Sequence, residues 1–180
     1  IRQQFGSEVN VKISRFAAEF IHDFKTYMDD DSAPDIVLQS FGYLYLADNQ
    51  DFAEVLRDKC AMQNRLGAAT KIYTADELAR KWPFYNLDGI ICGSHNAVDE
   101  GYFDGYTMFD WLRRKARAGG AEYVSNEVVA ITRKGAKIES VTLASGEVVA
   151  CGQLVNASGT RGAKTAAMAG ITIPIEPRKR

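Results

Sequence analysis

Residues 153–170 read QLVNASGTRGAKTAAMAG and join a short apolar run, a small-residue turn and an alanine-rich segment. Leu154 and Val155 predict a strand buried on both faces of a sheet. From about Thr160 the alanines favour a helix, and Gly170 stands where a left-handed cap would end it. Such a turn directs backbone N–H groups at one spot, which suits a phosphate, a carboxylate or an electron-rich ring edge. Taken alone, the turn fits an ordinary buried strand-to-helix connection better.

The overall composition excludes several classes of protein. The chain has 180 residues, of which 46% are hydrophobic and 25% charged, as in ordinary soluble globular proteins. The formal net charge of −1 provides no bulk attraction to nucleic acid or to an anionic membrane. No apolar stretch approaches the ~20 residues of a membrane-spanning helix. We therefore expect neither a nucleic-acid partner nor a membrane span.

The cysteines, Cys60, Cys92 and Cys151, are far apart in the sequence and none belongs to a C-x-x-C pair. This spacing indicates neither a disulfide framework nor a zinc site. The chain also has only two histidines, so a histidine-rich metal site is not expected. We interpret the cysteines as small apolar residues in a reducing compartment, and the sequence predicts a cytoplasmic protein that binds no metal.

The first hundred residues have the pattern of a helix followed by a mixed α+β region. Ser7 or Asn10 caps the first helix, and the run from Asp29 to Pro34 breaks it. Thr74 and Glu77 form a capping-box pattern that opens a short helix. The predicted elements are a helix over 10–28 whose apolar face includes Ile13 and Phe16, one or two strands over 36–47, a helix capped by Asp48 or Asn49 and closed at Gly67, a strand over 70–73, the capping-box helix, and a strand over 89–93.

After the turn-rich stretch 99–105, the pattern changes to one helix and a series of strands. The helix runs through Met108 and ends at Gly119 and Gly120. Strands are predicted over 121–124, 128–133, 138–144 and 147–151, with glycine turns between the later ones. Together with the opening stretch, this order predicts an α/β domain that carries a β-meander.

Five segments occur in an order that resembles the FAD-dependent amino-acid oxidase superfamily, which includes glycine oxidase, sarcosine oxidase and dimethylglycine dehydrogenase. The segments are IRQQF (1–5), GYLYLA (42–47), EGYFDGYTMFDWLRRKARAGGAEYVSNEVVAI (100–131), LVNASG (154–159) and AAMAGITIPIEPRKR (166–180). The opening IRQQF is most similar to the sarcosine dehydrogenase-like members. The resemblance covers nearly the whole chain.

The resemblance implies a fold class that combines α/β and α+β: part of a Rossmann-like FAD-binding domain with a β-meander, and a mixed-sheet substrate domain. On this basis residues 1–33 and 100–170 belong to the FAD-binding domain, 34–99 to the substrate-binding domain, and 171–180 return toward the latter. The family's Gly-x-Gly-x-x-Gly loop and an initiator methionine are both missing from the sequence. We expect an internal fragment that by itself is inactive and does not hold FAD tightly.

The resemblance also implies site residues. Those expected to serve the FAD cofactor are Ile1, Arg2, Gln3, Gln4, Val128, Ala157, Ser158 and Gly159. In the family, the residues that match Arg2, Gln3 and Gln4 follow a glycine-rich segment beside the flavin, and the residue that matches Val128 offers its backbone to the adenine. The turn at 157–159 packs on the cofactor.

The implied reaction removes a hydride from the carbon next to the amine of a small amine or amino acid, such as sarcosine, glycine or dimethylglycine. Dioxygen or a carrier protein is the electron acceptor. Arg2 is the catalytic candidate, because the planar guanidinium of arginine suits a substrate carboxylate. Its other candidate role is to stabilise negative charge on the reduced flavin. That Arg2 is an ordinary surface arginine is an equal alternative. Tyr43 and Tyr45 are candidates to face the substrate, although aromatic strand residues are more often part of a core.

Two features depart from the family pattern. Thr160 and Arg161 stand where many members have Pro-Trp or Ala-Trp, and Asp104-Gly105 stands where Asp-Pro is common. The departures at Thr160 and Arg161 motivate an alternative, a non-catalytic α+β binding or subunit-interface module on the same scaffold. His95, with Asn96 nearby, fits a loop histidine better than an acid–base group.

Overall fold

Helices and short antiparallel strands alternate along the chain, and the computed structural model describes residues 1–179. The chain divides into two units, Ile1–Ala121 and Glu122–Arg180. The first unit contains α1 (Glu8–His22), α2 (Phe24–Met28), β1 (Tyr43–Ala47), α3 (Gln50–Arg65), β2 (Lys71–Thr74), α4 (Ala75–Lys81), β3 (Cys92–Asn96) and α5 (Gly105–Ala118). The second contains β4 (Val128–Lys134), β5 (Lys137–Leu143), β6 (Val148–Ala150), a 3-10 turn (Gly159–Arg161) and α6 (Gly162–Met168). No helix among residues 1–179 is both long enough and apolar enough to cross a bilayer.

The first predicted helix is present but consists of two pieces. The Ser7 side chain accepts a hydrogen bond from the Asn10 N–H, so Ser7 is the cap and Asn10 lies inside α1. Asp23 separates α1 from α2, which breaks the single helix predicted over 10–28. Asp29 then adopts a left-handed conformation with φ 48° and ends α2, as the sequence indicated.

The caps of the next two helices confirm the sequence interpretation. The Asn49 side chain accepts a hydrogen bond of 2.8 Å from the Phe52 N–H at the start of α3. Beyond the end of α3, Gly67 has φ +87°, a conformation that favours glycine. At α4, Thr74 and Glu77 form both hydrogen bonds of the capping box.

The sheet of the first unit has the strand order β1-β3-β2, with both pairs antiparallel. Its central strand forms over 92–96, so the strand predicted over 89–93 is displaced toward the C-terminus. The reason is a turn at Gly89, which has φ +76° and precedes a hydrogen bond from the Ile90 N–H to the Leu87 carbonyl. Between 36 and 42 the strand pairing that the structure describes is the isolated bridge from Gln39 to Tyr102, and β1 begins at Tyr43.

The main core of the first unit lies where α1, α2 and α5 meet the segment 33–38. The cluster comprises Ala18, Ile21, Phe24, Ala33, Ile36, Leu38 and Trp111. Ile13 and Phe16, predicted on the buried face of the first helix, are 60% and 55% exposed. The buried face of α1 instead follows Val11, Ala18 and Ile21, because these positions contact neighbouring elements.

The second unit is the predicted β-meander, in the order β4-β5-β6. Its turns place Gly135 at φ +61° and Gly146 at φ +89°. Ile131, Val141 and Leu143 bury one face of the meander against Ala169, next to α6. The strand predicted over 121–124 is wrong, because the Ala121 N–H bonds to the Ala116 carbonyl at the end of α5 rather than to a neighbouring strand.

The strand predicted at Leu154 and Val155 is also wrong. Neither residue belongs to a strand, and Val155 is 87% exposed rather than buried. An apolar run becomes a strand only when a neighbour supplies ladder hydrogen bonds. Among residues 1–179, no strand pairs with this run.

The helix predicted after the turn is present as α6, which starts at Gly162 after the 3-10 turn. Gly170 adopts φ +69°, and its N–H bonds to the Ala167 carbonyl at 2.9 Å. The Ile171 N–H bonds to the Ala166 carbonyl at 3.1 Å. These two bonds are those of a Schellman motif, so the predicted left-handed cap is confirmed.

Candidate functional site

In the first unit, two of the predicted site residues meet directly. The Arg2 Nη1 donates a hydrogen bond of 2.6 Å to the Tyr45 hydroxyl. The Arg2 guanidinium also stacks over the Phe5 ring, with Cζ 4.8 Å from the ring centroid. A guanidinium has five N–H donors, so the bond to Tyr45 leaves enough of them for a bidentate contact with a carboxylate.

Tyr43 and Tyr45 lie two positions apart on β1 and therefore share a face of the strand. The Tyr45 ring packs against the cluster that contains Ala47 and Ala53, while its hydroxyl holds Arg2. Tyr43 is more exposed, and its carbonyl accepts a 2.8 Å hydrogen bond from the Gln4 Nε2. Tyr45 thus combines the core position expected of a strand aromatic with a polar contact to Arg2.

A buried carboxylate supports this segment, and sequence reasoning missed it. Glu100 is 0% exposed and lies in the turn-rich stretch before α5. Its Oε1 accepts hydrogen bonds from the backbone N–H groups of Gln3, at 2.6 Å, and Gln4, at 2.8 Å. The Asn96 Nδ2 donates to the same oxygen at 3.2 Å. The only signal in the sequence was an acidic residue next to a glycine in a turn.

The remaining residues of the segment are held by similar contacts. The Gln4 side chain is buried, and its Oε1 accepts a 2.7 Å hydrogen bond from the Ser94 hydroxyl. The Ile1 carbonyl accepts a 2.9 Å hydrogen bond from the Gly101 N–H. A Cβ at Gly101 would collide with the Gln39 carbonyl oxygen, so glycine is needed at this close approach.

His95 lies in the central strand β3 rather than in a loop. It is buried, with its ring centroid 4.9 Å from that of Trp82 and 6.3 Å from that of Tyr73. Burial lowers the pKa of His95 below 6.5, and nearby Lys81 acts in the same direction. Glu100 and a hydrogen bond to the Phe41 backbone oppose the shift of this pKa. Near neutral pH the folded protein therefore holds a neutral imidazole here.

Acidification is expected to destabilise the protein through His95. Because the pKa of His95 is lowered on folding, the unfolded state takes up the proton first as the pH falls through 6.5. The free energy of unfolding therefore decreases as the pH falls from 6.5 to the lowered pKa of the folded state. Above pH 6.5 His95 is neutral in both states and does not change the stability. We expect urea unfolding to show that the free energy of unfolding decreases more for wild type than for His95→Gln when the pH is lowered from about 7.5 to about 5.5. An equal decrease in both proteins would contradict this prediction.

In the second unit, an open cavity of about 470 Å³ lies between β4, the segment 154–158 and α6. Val128, Ala157 and Ser158, all predicted cofactor residues, contribute to its wall. Gly159 is not part of the wall and occupies the adjacent 3-10 turn with φ +55°. The full lining is Asn126, Glu127, Val128, Ile131, Leu154, Val155, Asn156, Ala157, Ser158, Arg161, Lys164, Thr165 and Met168.

Asn156 organises the turn at the edge of this cavity. Its Nδ2 donates to the Gly162 carbonyl at 2.9 Å, and its Oδ1 accepts from the Ser158 hydroxyl at 2.6 Å. The same oxygen accepts from the Ser158 backbone N–H at 3.2 Å, and the hydroxyls of Ser158 and Thr165 are 2.9 Å apart. The Ser158 N–H is therefore used inside the turn.

Charged groups of both signs stand in the wall of the cavity. Arg161, which departs from the family motif, forms an exposed ion pair of 3.6 Å with Glu127. Lys164 adds a second cation. The remaining wall is largely apolar, and its largest apolar side chains are Ile131, Leu154 and Met168. An apolar cavity with a few polar groups is the usual form of a small-molecule site, with a volume of about 300–1,000 Å³.

Comparison with known proteins identifies the family. A family described as FAD dependent oxidoreductase matches residues 1–180. The chain belongs to this family. The cofactor of FAD-dependent oxidoreductases is FAD, and the cavity of the second unit has a volume and an apolar wall that fit part of such a dinucleotide.

Curated relatives carry the same description. FAD-dependent oxidoreductase domain-containing protein 1 of Bos taurus is 29% identical over 214 residues, which cover 100% of this chain and 43% of the relative. The protein of the same name from Xenopus laevis is 29% identical and is covered to 42%. The chain therefore spans less than half the length of these curated relatives.

Solved structures of a dehydrogenase and an oxidase share the fold. L-proline dehydrogenase from P. horikoshii has a TM-score of 0.72 and 26% identity, over 95% of this chain and 44% of that protein. Glycine oxidase from Geobacillus kaustophilus has a TM-score of 0.70 and 19% identity, over 96% of this chain and 46% of that protein. These similarities confirm the predicted fold class, and the family match confirms the resemblance to the FAD-dependent oxidoreductases. The assignment of residues 34–99 to substrate binding and of 1–33 and 100–170 to FAD binding stays a prediction.

Proposed function

We propose that this protein oxidises the C–N bond of a small amine or amino acid, with FAD as the hydride acceptor. The observation that carries the proposal is the match of the whole chain to the FAD-dependent oxidoreductases. The sequence resemblance adds the substrate class, which is sarcosine, glycine or dimethylglycine. The names of two structural neighbours, a proline dehydrogenase and a glycine oxidase, are consistent with amino-acid substrates.

In this proposal each group of residues has a distinct task. When bound, FAD supplies the redox chemistry that takes up the hydride. Arg2 binds the substrate carboxylate through its planar donor pair, and the Tyr45 hydroxyl orients the guanidinium. Tyr43 adds a ring next to them on the same strand face. Val128, Ala157 and Ser158 hold part of the dinucleotide in the cavity of the second unit.

The experiment is to purify the full-length protein and record its visible spectrum. We expect a yellow flavoprotein whose absorbance is bleached under anaerobic conditions by sarcosine, glycine, dimethylglycine or proline. Acetate, which has the carboxylate but no amine, is the control and is expected to cause no bleaching. A full-length protein that stays colourless with added FAD would argue strongly against the proposal. Flavin that is bound but bleached by none of these compounds would favour the non-catalytic module.

The electron acceptor and the location extend the same proposal. We expect dioxygen or a carrier protein to reoxidise the flavin, and admitting air after bleaching distinguishes the two. Rapid return of the colour indicates dioxygen, whereas persistent bleaching indicates a carrier. The free thiols of Cys60, Cys92 and Cys151 are consistent with a reducing, cytoplasmic compartment.

A further inference from the structure

Glu100 is an unusual residue to find fully buried. Its carboxyl group is 0% exposed, and among residues 1–179 no lysine or arginine forms an ion pair with it. Four hydrogen bonds take the place of water. Three come to Oε1 from the N–H groups of Gln3 and Gln4 and the Asn96 amide, and one comes to Oε2 from the Gln4 Nε2 at 3.1 Å.

All four contacts are donors, so the group acts only as an acceptor, as a carboxylate does. Burying a carboxylate without a cation is costly, and an apolar side chain would fill the same space without that cost. The carboxylate therefore contributes something other than packing. Its contribution is a single oxygen on which two successive backbone N–H groups converge, at 2.6 Å and 2.8 Å.

These contacts immobilise the backbone on both sides of Arg2. On one side the Ile1 carbonyl bonds to the N–H of Gly101, the neighbour of Glu100. On the other side the N–H of Gln3 bonds to the Glu100 carboxylate. The segment cannot slide along β1 without breaking one of these bonds, and Arg2 then reaches the Tyr45 hydroxyl at 2.6 Å.

We infer that Glu100 is a positioning residue, which anchors the backbone of Gln3 and Gln4 so that the Arg2 guanidinium stays at the carboxylate-binding position. The inference rests on the substrate role of Arg2 in the proposed function. The Glu100 side chain is 0% exposed, so it does not itself present a group to a substrate. Its effect passes through the 1–4 backbone: a displaced Arg2 contacts the substrate carboxylate less well, which raises KM much more than it lowers kcat.

The test compares Glu100→Ala and Glu100→Gln with the control Glu8→Gln in the full-length protein. Glu8 is an exposed acid of the same unit, paired with Arg65. With the amino acid that bleaches the flavin fastest, Glu100→Ala is expected to raise KM and the inhibition constant of acetate together, by about tenfold, with kcat changed less than about twofold. Glu100→Gln keeps an oxygen for both N–H groups and is expected to raise the two constants by only about threefold. The control is expected to match wild type.

A second measurement needs no turnover. Hydrogen–deuterium exchange of the Gln3 and Gln4 amides is expected to be about tenfold faster in Glu100→Ala and intermediate in Glu100→Gln. Unchanged exchange in either variant, or a fall in kcat with unaltered acetate inhibition, would overturn the inference. Should Glu100→Ala not fold, Glu100→Gln decides by the same criteria. A wild-type protein that oxidises no amine would count against the proposed function. The exchange rates of the Gln3 and Gln4 amides would still test whether Glu100 anchors this backbone.

Discussion

Replacing Arg2 with alanine is expected to lower kcat/KM for an amino-acid substrate by about 100-fold while the protein keeps its FAD. The physical reason is the loss of a charge-assisted, bidentate contact to the substrate carboxylate, which alanine cannot replace. Arg2→Lys retains the positive charge but lacks the planar donor pair, so we expect a loss of about tenfold. Steady-state kinetics and the flavin content of the purified proteins measure both effects.

Two further variants show whether the effect belongs to the Arg2 position. Tyr45→Phe removes the hydroxyl that accepts the 2.6 Å hydrogen bond, and a loss of about threefold is expected. Arg65→Ala removes an exposed arginine of the same unit, paired with Glu8, and is expected to leave kcat/KM unchanged. Unchanged turnover of Arg2→Ala would remove Arg2 from the substrate site. A loss of turnover with FAD retained would disfavour a non-catalytic module.

Replacing Phe24 with alanine is expected to destabilise the protein by about 3–5 kcal/mol. Phe24 is 2% exposed, and its ring centroid lies 5.4 Å from those of both Phe20 and Trp111. The substitution removes buried apolar surface and leaves a cavity that surrounding helices cannot fill. Urea unfolding of the full-length protein, followed by circular dichroism, measures the change in the free energy of unfolding.

Phe109→Ala is the matched control for this prediction. Phe109 lies on α5 near Trp111 in the sequence, but its side chain is 59% exposed. Its removal is expected to change the stability by no more than about 0.5 kcal/mol. Equal destabilisation by the two substitutions would show that the core does not centre on Phe24.

Features that depend on neighbours along the chain could be predicted from the sequence. The caps at Ser7, Asn49 and Thr74 are confirmed, because a capping side chain reaches a backbone N–H only two or three positions away. The glycine turns of the meander are confirmed for the same reason, since Gly135 and Gly146 adopt positive φ. The family resemblance, which rests on the order of short segments, is confirmed by the match over the whole chain.

Predictions that depended on a distant partner were less successful. The apolar run at Leu154 and Val155 has the composition of a buried strand, but strand formation requires a second strand in register. The strand over 92–96 is displaced from its predicted position because pairing with β1 and β2 defines its bounds. The local composition of a segment indicates neither which strand it pairs with nor the register of that pairing.

By itself, the amino-acid sequence determined the helix caps, the meander turns and the membership of the FAD-dependent oxidoreductases, because these depend on residue type over short spacings. It also singled out Arg2 and Tyr45, but as separate candidates. Only the tertiary structure brought them together across 43 positions, and only it revealed that Glu100, 96 positions from Gln4, supports the same segment. The physical reason is that a hydrogen bond depends on the distance between two atoms in space, and chain folding sets that distance.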